Sequence, residues 1–177
     1  GRIQAFCLAT SSEVAGEQDY RPIYVHAKVA IVDDLWSTVG SANLNNRGMR
    51  DDTEMNVAAL NPELAHVLRL LLWAEHLGLL QEENLVQVAR YLSHQRQSPA
   101  AEAQAEGLLR SLDATLGDPL IGLRMMTECA QENVRRFKAH QPLVGHLLPY
   151  LTDEEARQQG VHFHEEHGWV AKHLGFS

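Results

Sequence analysis

Residues 24–33 read Tyr24-Val25-His26-Ala27-Lys28-Val29-Ala30-Ile31-Val32-Asp33, and residues 40–43 read Gly40-Ser41-Ala42-Asn43. Apolar and β-branched residues alternate with polar ones through the first stretch, the pattern of a β-strand whose side chains point to opposite faces in turn. Val25, Val29 and Ile31 share one face, and His26 and Lys28 share the other. Asp33-Asp34-Leu35-Trp36 supplies a reversal, after which Ser37 to Asn43 returns as a second strand. A turn centred between Asp34 and Leu35 places Lys28 opposite Ser41 and His26 opposite Asn43, all on one face. An imidazole, an ammonium, a hydroxyl and an amide would then converge on one patch of sheet. Such a set suits a phosphoryl oxygen.

His26, Lys28, Asp33, Gly40, Ser41 and Asn43 together spell His-x-Lys, four residues, Asp, six residues, Gly-Ser-x-Asn. This resembles the HKD signature of the phospholipase D superfamily and meets it at every position. Six fixed positions, each filled by chance roughly one time in twenty, make the match far more specific than a short motif. Further on, Leu72-Trp73-Ala74-Glu75-His76-Leu77-Gly78 resembles the Leu-Trp-x-Glu-His-Leu-Gly segment that follows the second such motif in eukaryotic-type phospholipases D. Asp118-Pro119, Ala130-x-x-Asn133 with Phe137, and Gly145-His146-Leu147-Leu148-x-Tyr150 resemble the C-terminal region of plant-type enzymes. The resemblance spans roughly residues 1–150 and fades beyond Thr152. One HKD motif is present.

Composition bounds the reading. The chain has 177 residues, 45% of them apolar and 21% charged, which suits one globular domain or one domain with a helical appendage. A net charge of −8 argues against a nucleic-acid binder that neutralises many phosphates, while leaving room for a local basic pocket. Cys7 and Cys129 lie far apart and imply neither a metal pair nor a disulfide framework. No apolar run is long enough to span a bilayer, and no signal peptide is visible, so a soluble or peripheral protein is expected, its compartment unassigned. Residue 1 is Gly, and 25 residues precede His26, where superfamily members place a substantial βα segment. The expectation is a C-terminal part of a longer enzyme.

Taken in order, the chain predicts a strand from Arg2 to about Thr10 beside the motif hairpin and a polar loop from Ser11 to Pro22. Leu44 to Asp52 reads as an irregular connection and Thr53 to Leu60 as a third strand, with Glu54 returning to the catalytic face. Asn61-Pro62-Glu63 is a helix start, and Gly78 is the stop of that helix. Glu82–Gln95 and Ala100–Leu116 read as helices separated at Ser98-Pro99, and Asp118-Pro119 opens another to about His140. The expected fold class is α/β: a mixed sheet with the hairpin, flanked by helices. Residues 1–80 would form an incomplete catalytic subdomain and 81–177 a mostly helical region.

The resemblance implies roles. Two family histidines face each other, one attacking phosphorus to form a phosphohistidine and the other protonating the leaving alcohol and then activating water. By that analogy His26 is the general acid/base. Lys28 would hold the non-bridging oxygens, with Ser41 and Asn43 donating to them and Gly40 allowing close backbone approach. Asp33 would hold the hairpin, and Glu54, 28 residues after His26, would orient its imidazole. Glu54 also fits a solvated strand-start carboxylate. Arg47 and Arg50 read either as steering an anionic headgroup or as solvated loop arginines, and Trp36 as a lipid-touching or core-capping tip. His76 and His146 read as structural. His162-Phe163-His164-Glu165-Glu166-His167 offers imidazoles and carboxylates to a metal, but a polar terminal segment is the favoured reading.

The implied activity is hydrolysis or transfer of a phospholipid headgroup, of phosphatidylcholine type, with no cofactor because imidazoles and protein cations perform the chemistry. The implied partners are the phospholipid substrate, a membrane surface and an N-terminal half bearing the first motif; nucleic acid is not expected. The alternatives are a cardiolipin synthase-like phosphatidyltransferase, a homodimeric HKD nuclease, or an inactive fragment that needs its other half.

Overall fold

A computed structural model describes residues 3–158. Arg2 and the His162–His167 cluster lie outside the described residues. The fold is α/β, but its strands form two antiparallel sheets rather than one mixed sheet. The first has the order β2-β1-β6, built from β1 (Phe6–Val14), β2 (Glu17–Ile23) and β6 (Leu147–Pro149). The second has the order β3-β4-β5, built from β3 (Lys28–Val32), β4 (Trp36–Gly40) and β5 (Asn56–Leu60).

Two expectations for the N-terminal segment are corrected. The strand begins at Phe6 and pairs with β2 and β6, not with the motif hairpin. The polar stretch after it is no loop: β1 runs on to Val14, and Ala15 and Gly16, both at positive φ, turn it into β2. A two-residue turn with left-handed backbone at both positions matches the twist of a hairpin. The polarity of Ser11 to Gln18 reflects a ribbon largely in water rather than an absence of strand.

The helices begin where their capping residues stand. Asn61 caps α2 (Pro62–His76), its side chain accepting from the Leu64 N–H at 3.1 Å. Gln81 precedes α3 (Glu82–Leu92), and Ser98 caps α4 (Pro99–Leu116). Asp118 caps α5 (Pro119–Lys138) through the Leu120 N–H at 2.8 Å. Proline at the first turn fits three of these starts, because its missing N–H would have no partner there. Two short helices complete the set: α1 (Asn46–Arg50), and α6 (Asp153–Gln158) after β6. The first replaces the expected irregular connection, its start capped by Asn45, which accepts from the Gly48 N–H at 2.6 Å.

The core is helical and lies against the first sheet. Leu70, Ala74, Leu77, Leu112, Leu116 and Met126 form one cluster with Leu147, and Phe6 and Leu8 pack on it. Leu148, the next residue along β6, belongs to a second cluster with Ala9, Val134 and Ala156. Adjacent strand residues point to opposite faces, so β6 is buried on both sides. Asn133, fully buried, secures its approach: its amide donates to the Val144 and Leu147 carbonyls and accepts from the Val144 N–H, each at 2.9 Å. A buried amide with these partners stabilises rather than costs. His76 and His146 meet nearby, where the His76 carbonyl accepts from the His146 N–H at 2.8 Å and Glu75 faces both rings.

Candidate functional site

Lys28 and Gly40 of the signature lie on strands of the second sheet, and His26, Asp33, Ser41 and Asn43 on the segments that flank or join them. Val32 pairs with Trp36, leaving Asp33, Asp34 and Leu35 as a three-residue turn closed by the Leu35 N–H donating to the Val32 carbonyl at 2.9 Å. Asp33 and Asp34 both take left-handed backbone, with φ of 54° and 52°. Aspartate tolerates this better than most residues because its short polar side chain can bond locally. The turn is thus centred on Asp34, half a residue earlier than expected.

That shift changes every pairing. Lys28 stands opposite Gly40, Ala30 opposite Thr38 and Ile31 opposite Ser37. Lys28 is therefore not opposite Ser41, and His26 is not opposite Asn43. A slip of one residue exchanges the two faces of a strand, so the expected four-group patch does not follow from the ladder. His26 also precedes β3, in the irregular residues 24–27, and is exposed. Its ring lies tilted against Tyr24, with centroids 5.9 Å apart. Its carbonyl accepts from the Lys28 ammonium at 2.6 Å, so the motif's two basic residues are joined through backbone rather than through the imidazole.

The other signature residues shape this end of the sheet. Gly40 pairs with Asn56 as well as Lys28, and a Cβ on it would fall 2.1 Å from Asn56 Oδ1 and 2.3 Å from the Met55 carbonyl. Close approach is the reason for glycine here. Asn56 lies across this gap, accepting from the Ala42 N–H at 3.1 Å and donating to Thr38 Oγ1 at 3.3 Å. Ser41 extends the ladder: its N–H donates to the Met55 carbonyl at 3.0 Å, and its hydroxyl accepts from the Met55 N–H at 3.0 Å. Asn43 is exposed, and its backbone supports the turn into the first short helix, its carbonyl accepting from Asn45. Glu54 is half-buried just before β5, and no hydrogen bond joins it to His26 among the described residues. Arg47 is paired with Asp52 at 2.8 Å, Arg50 is exposed, and Trp36 is half-buried between its strand partners Val32 and Leu60.

The strongest polar cluster lies outside the signature residues. Asp34, not the signature's Asp33, ties the hairpin to the helices. Arg69 on α2 grips both its oxygens, Nε to Oδ1 and a terminal nitrogen to Oδ2, each at 2.7 Å. The same guanidinium donates to the Leu116 and Gly117 carbonyls at the end of α4, at 2.8 and 2.9 Å, and lies 4.7 Å over the Trp73 ring. Arg69 is only 5% exposed, and a charge so buried requires this full set of partners. Hydrogen bonding from Arg69 holds the Asp34 carboxyl down at about 2, against the opposing effect of burial and with help from His66. The sequence signal was an arginine set within the apolar stripe of α2, three residues after a histidine. Among the described residues no group of three or more His, Cys, Asp or Glu is arranged to hold a metal ion, and no helix is long and apolar enough to cross a membrane.

Comparison with known proteins points one way. The family model described as Phospholipase D matches residues 5–160. The chain is similar to phospholipase D alpha 1 of Nicotiana tabacum, 46% identical over 72 residues that cover 34% of this chain and 9% of the relative. It is also similar to phospholipase D alpha 1 of Zea mays, 36% identical over 109 residues covering 44% of this chain and 13% of the relative. Phospholipase D alpha 2 of Brassica oleracea var. capitata gives 35% over the same length and shares. The matched parts thus span between 9% and 13% of these relatives. No solved structure matches.

Proposed function

The chain belongs to the phospholipase D family, and on that footing we propose that it carries the second HKD motif of a longer phosphodiesterase that hydrolyses or transfers phospholipid headgroups. The observation that carries this reading is the complete set His26, Lys28, Asp33, Gly40, Ser41 and Asn43 inside the matched region. The exposure of His26, on a segment free of the sheet ladder, supports it, because a proton carrier must reach substrate. An imidazole from the N-terminal half would attack phosphorus, and the bond to the headgroup oxygen would break as His26 gives that oxygen its proton. Water or an acceptor alcohol would then attack the phosphohistidine, passing its proton to His26 and restoring both rings.

Lys28 would neutralise charge on the non-bridging oxygens in the five-coordinate transition state, a role that requires it to exchange the His26 carbonyl for phosphate. Ser41 and Gly40 serve by building the backbone beside the site, since both are committed to the Met55–Asn56 segment. Asp33 shapes the turn, and Glu54 would reach the imidazole once the partner half closes the site. The exposed apolar residues beside His26 in the chain, Tyr24 at 74% and Val25 at 56%, suit cover by an N-terminal half or by a lipid surface.

The test is headgroup release from phosphatidylcholine vesicles, with transfer to an added short alcohol, by the longer protein. His26→Ala should lower turnover by about 10²–10⁴-fold or more with the fold intact. The 177-residue chain alone should show little turnover as a monomer. Near-normal rates in the variant, or full turnover by a verified monomer of this chain, would refute the reading.

A further inference from the structure

His66 stands between two carboxylates. Its Nδ1 is 2.8 Å from Asp34 Oδ2 and its Nε2 is 2.8 Å from Asp113 Oδ1. Ionised carboxylates only accept, so each contact needs an N–H on the ring, and a neutral imidazole has only one. The remaining neighbour is Arg69, whose terminal nitrogen lies 3.4 Å from Nδ1. Acceptance from Arg69 would leave a ring lone pair facing the Asp34 oxygen at the shorter distance. Both short contacts are satisfied together only by the imidazolium.

These contacts join three elements: the hairpin turn through Asp34, α2 through His66, and α4 through Asp113. We propose that His66 is a positioning residue that clamps the signature-bearing hairpin to α2 and α4 while its ring carries both protons, and releases Asp113 when it loses one. A neutral ring can keep one carboxylate but not both. Arg69 continues to hold Asp34 and the Leu116 and Gly117 carbonyls, so the junction of hairpin and α4 loosens without detaching. Because β3 and β4 are a short continuous ladder, motion at the turn is carried to Lys28 and Gly40 at its far end. The inference does not depend on what reaction the site performs.

The sign of the pH effect follows from the neighbours. Hydrogen bonding to Asp34 raises the His66 pKa above the ordinary histidine value, with burial opposing and Asp113 assisting; Arg69 opposes. A raised folded-state value means that the clamp's contribution is complete below the unfolded pKa, about 6.5, and is lost as pH rises through the raised one. Asp34 sets the acid limit in the opposite sense: its contribution is present above its unfolded value and lost as pH falls towards about 2.

The experiment uses the whole chain labelled with ¹⁵N. Imidazole resonances report the protonation of His66, and exchange of the Leu35 amide, corrected for base catalysis, reports closure of the turn. Both ring nitrogens of His66 should be protonated below its titration midpoint, and that midpoint should lie above the free-histidine value. Leu35 protection should fall about tenfold per unit of raised pKa across that titration. His66→Gln should abolish the step, and Asp113→Asn should move the midpoint down. A His66 that titrates at or below the free value overturns the proposal. So does the same step in His66→Gln, or an unmoved midpoint in Asp113→Asn.

Discussion

Sheet β2-β1-β6 and sheet β3-β4-β5 each have three antiparallel strands, yet they are held in opposite ways. In the first, Leu147 and Leu148 are each 1% exposed and feed separate apolar clusters on the two faces. In the second, Ser37 is the single buried residue, although the strands are no less apolar. By register Ile31, Ser37 and Ala59 share one face, which α2 meets at its β3–β4 side. Farther along that face the partners Val39 and Val57 are 47% and 72% exposed. The first sheet is secured by burial; the second is secured by a buried ion pair at its turn and by side-chain ties to its backbone. Hydrophobic burial is non-directional, whereas ion pairs and hydrogen bonds fix positions, so the signature rides on the sheet whose geometry polar contacts determine.

The contrast can be broken most forcefully at the first sheet. Leu147→Ala should cost about 2–5 kcal/mol, because a fully buried side chain leaves a cavity that two packed layers cannot fill. Denaturant unfolding would measure it, and a loss under ~1 kcal/mol would mean that β6 is less tightly built in than its burial implies. A smaller effect is expected at the signature sheet from Gly40→Ala, about 1–3 kcal/mol, since the added carbon meets Asn56 and the Met55 carbonyl. Asn56→Gly should recover only part of that loss, because the Met55 contact is backbone and stays. The double variant's midpoint in urea decides this. The smallest change belongs to the open face: Val57→Ser should alter stability by no more than about 0.5 kcal/mol in this chain, while weakening any association that covers the face. A large destabilisation of the chain alone would show that Val57 is packed after all.

The four long helices were legible because their signals are local. Asn61, Ser98 and Asp118 cap helices that start at the following prolines, and each cap bonds an N–H two or three residues away. The family motif was legible for a related reason: its identity lies in spacing, which needs no fold. What was not legible depended on distant partners. Ser11 to Pro22 looked like a loop because its residues are polar, and only the hairpin through Ala15-Gly16 makes them a strand. The hairpin register turned on whether two aspartates would both accept left-handed backbone, which their sequence permits but does not require. Arg69 and Asp34 are 35 residues apart, and His66 and Asp113 are 47 apart.

From its sequence alone, then, the starts of this protein's four long helices, its α/β class and its complete phospholipase D signature could be read, since each rests on neighbours along the chain or on fixed spacing. Tertiary structure alone decided that the strands divide into two sheets and that β6 closes one of them from the far end of the described chain. It also decided that Asp34 ties the turn to Arg69. The physical reason is the same in each case: strand pairing, two-sided burial and a charge satisfied inside the protein are made between residues that meet only when the chain has folded.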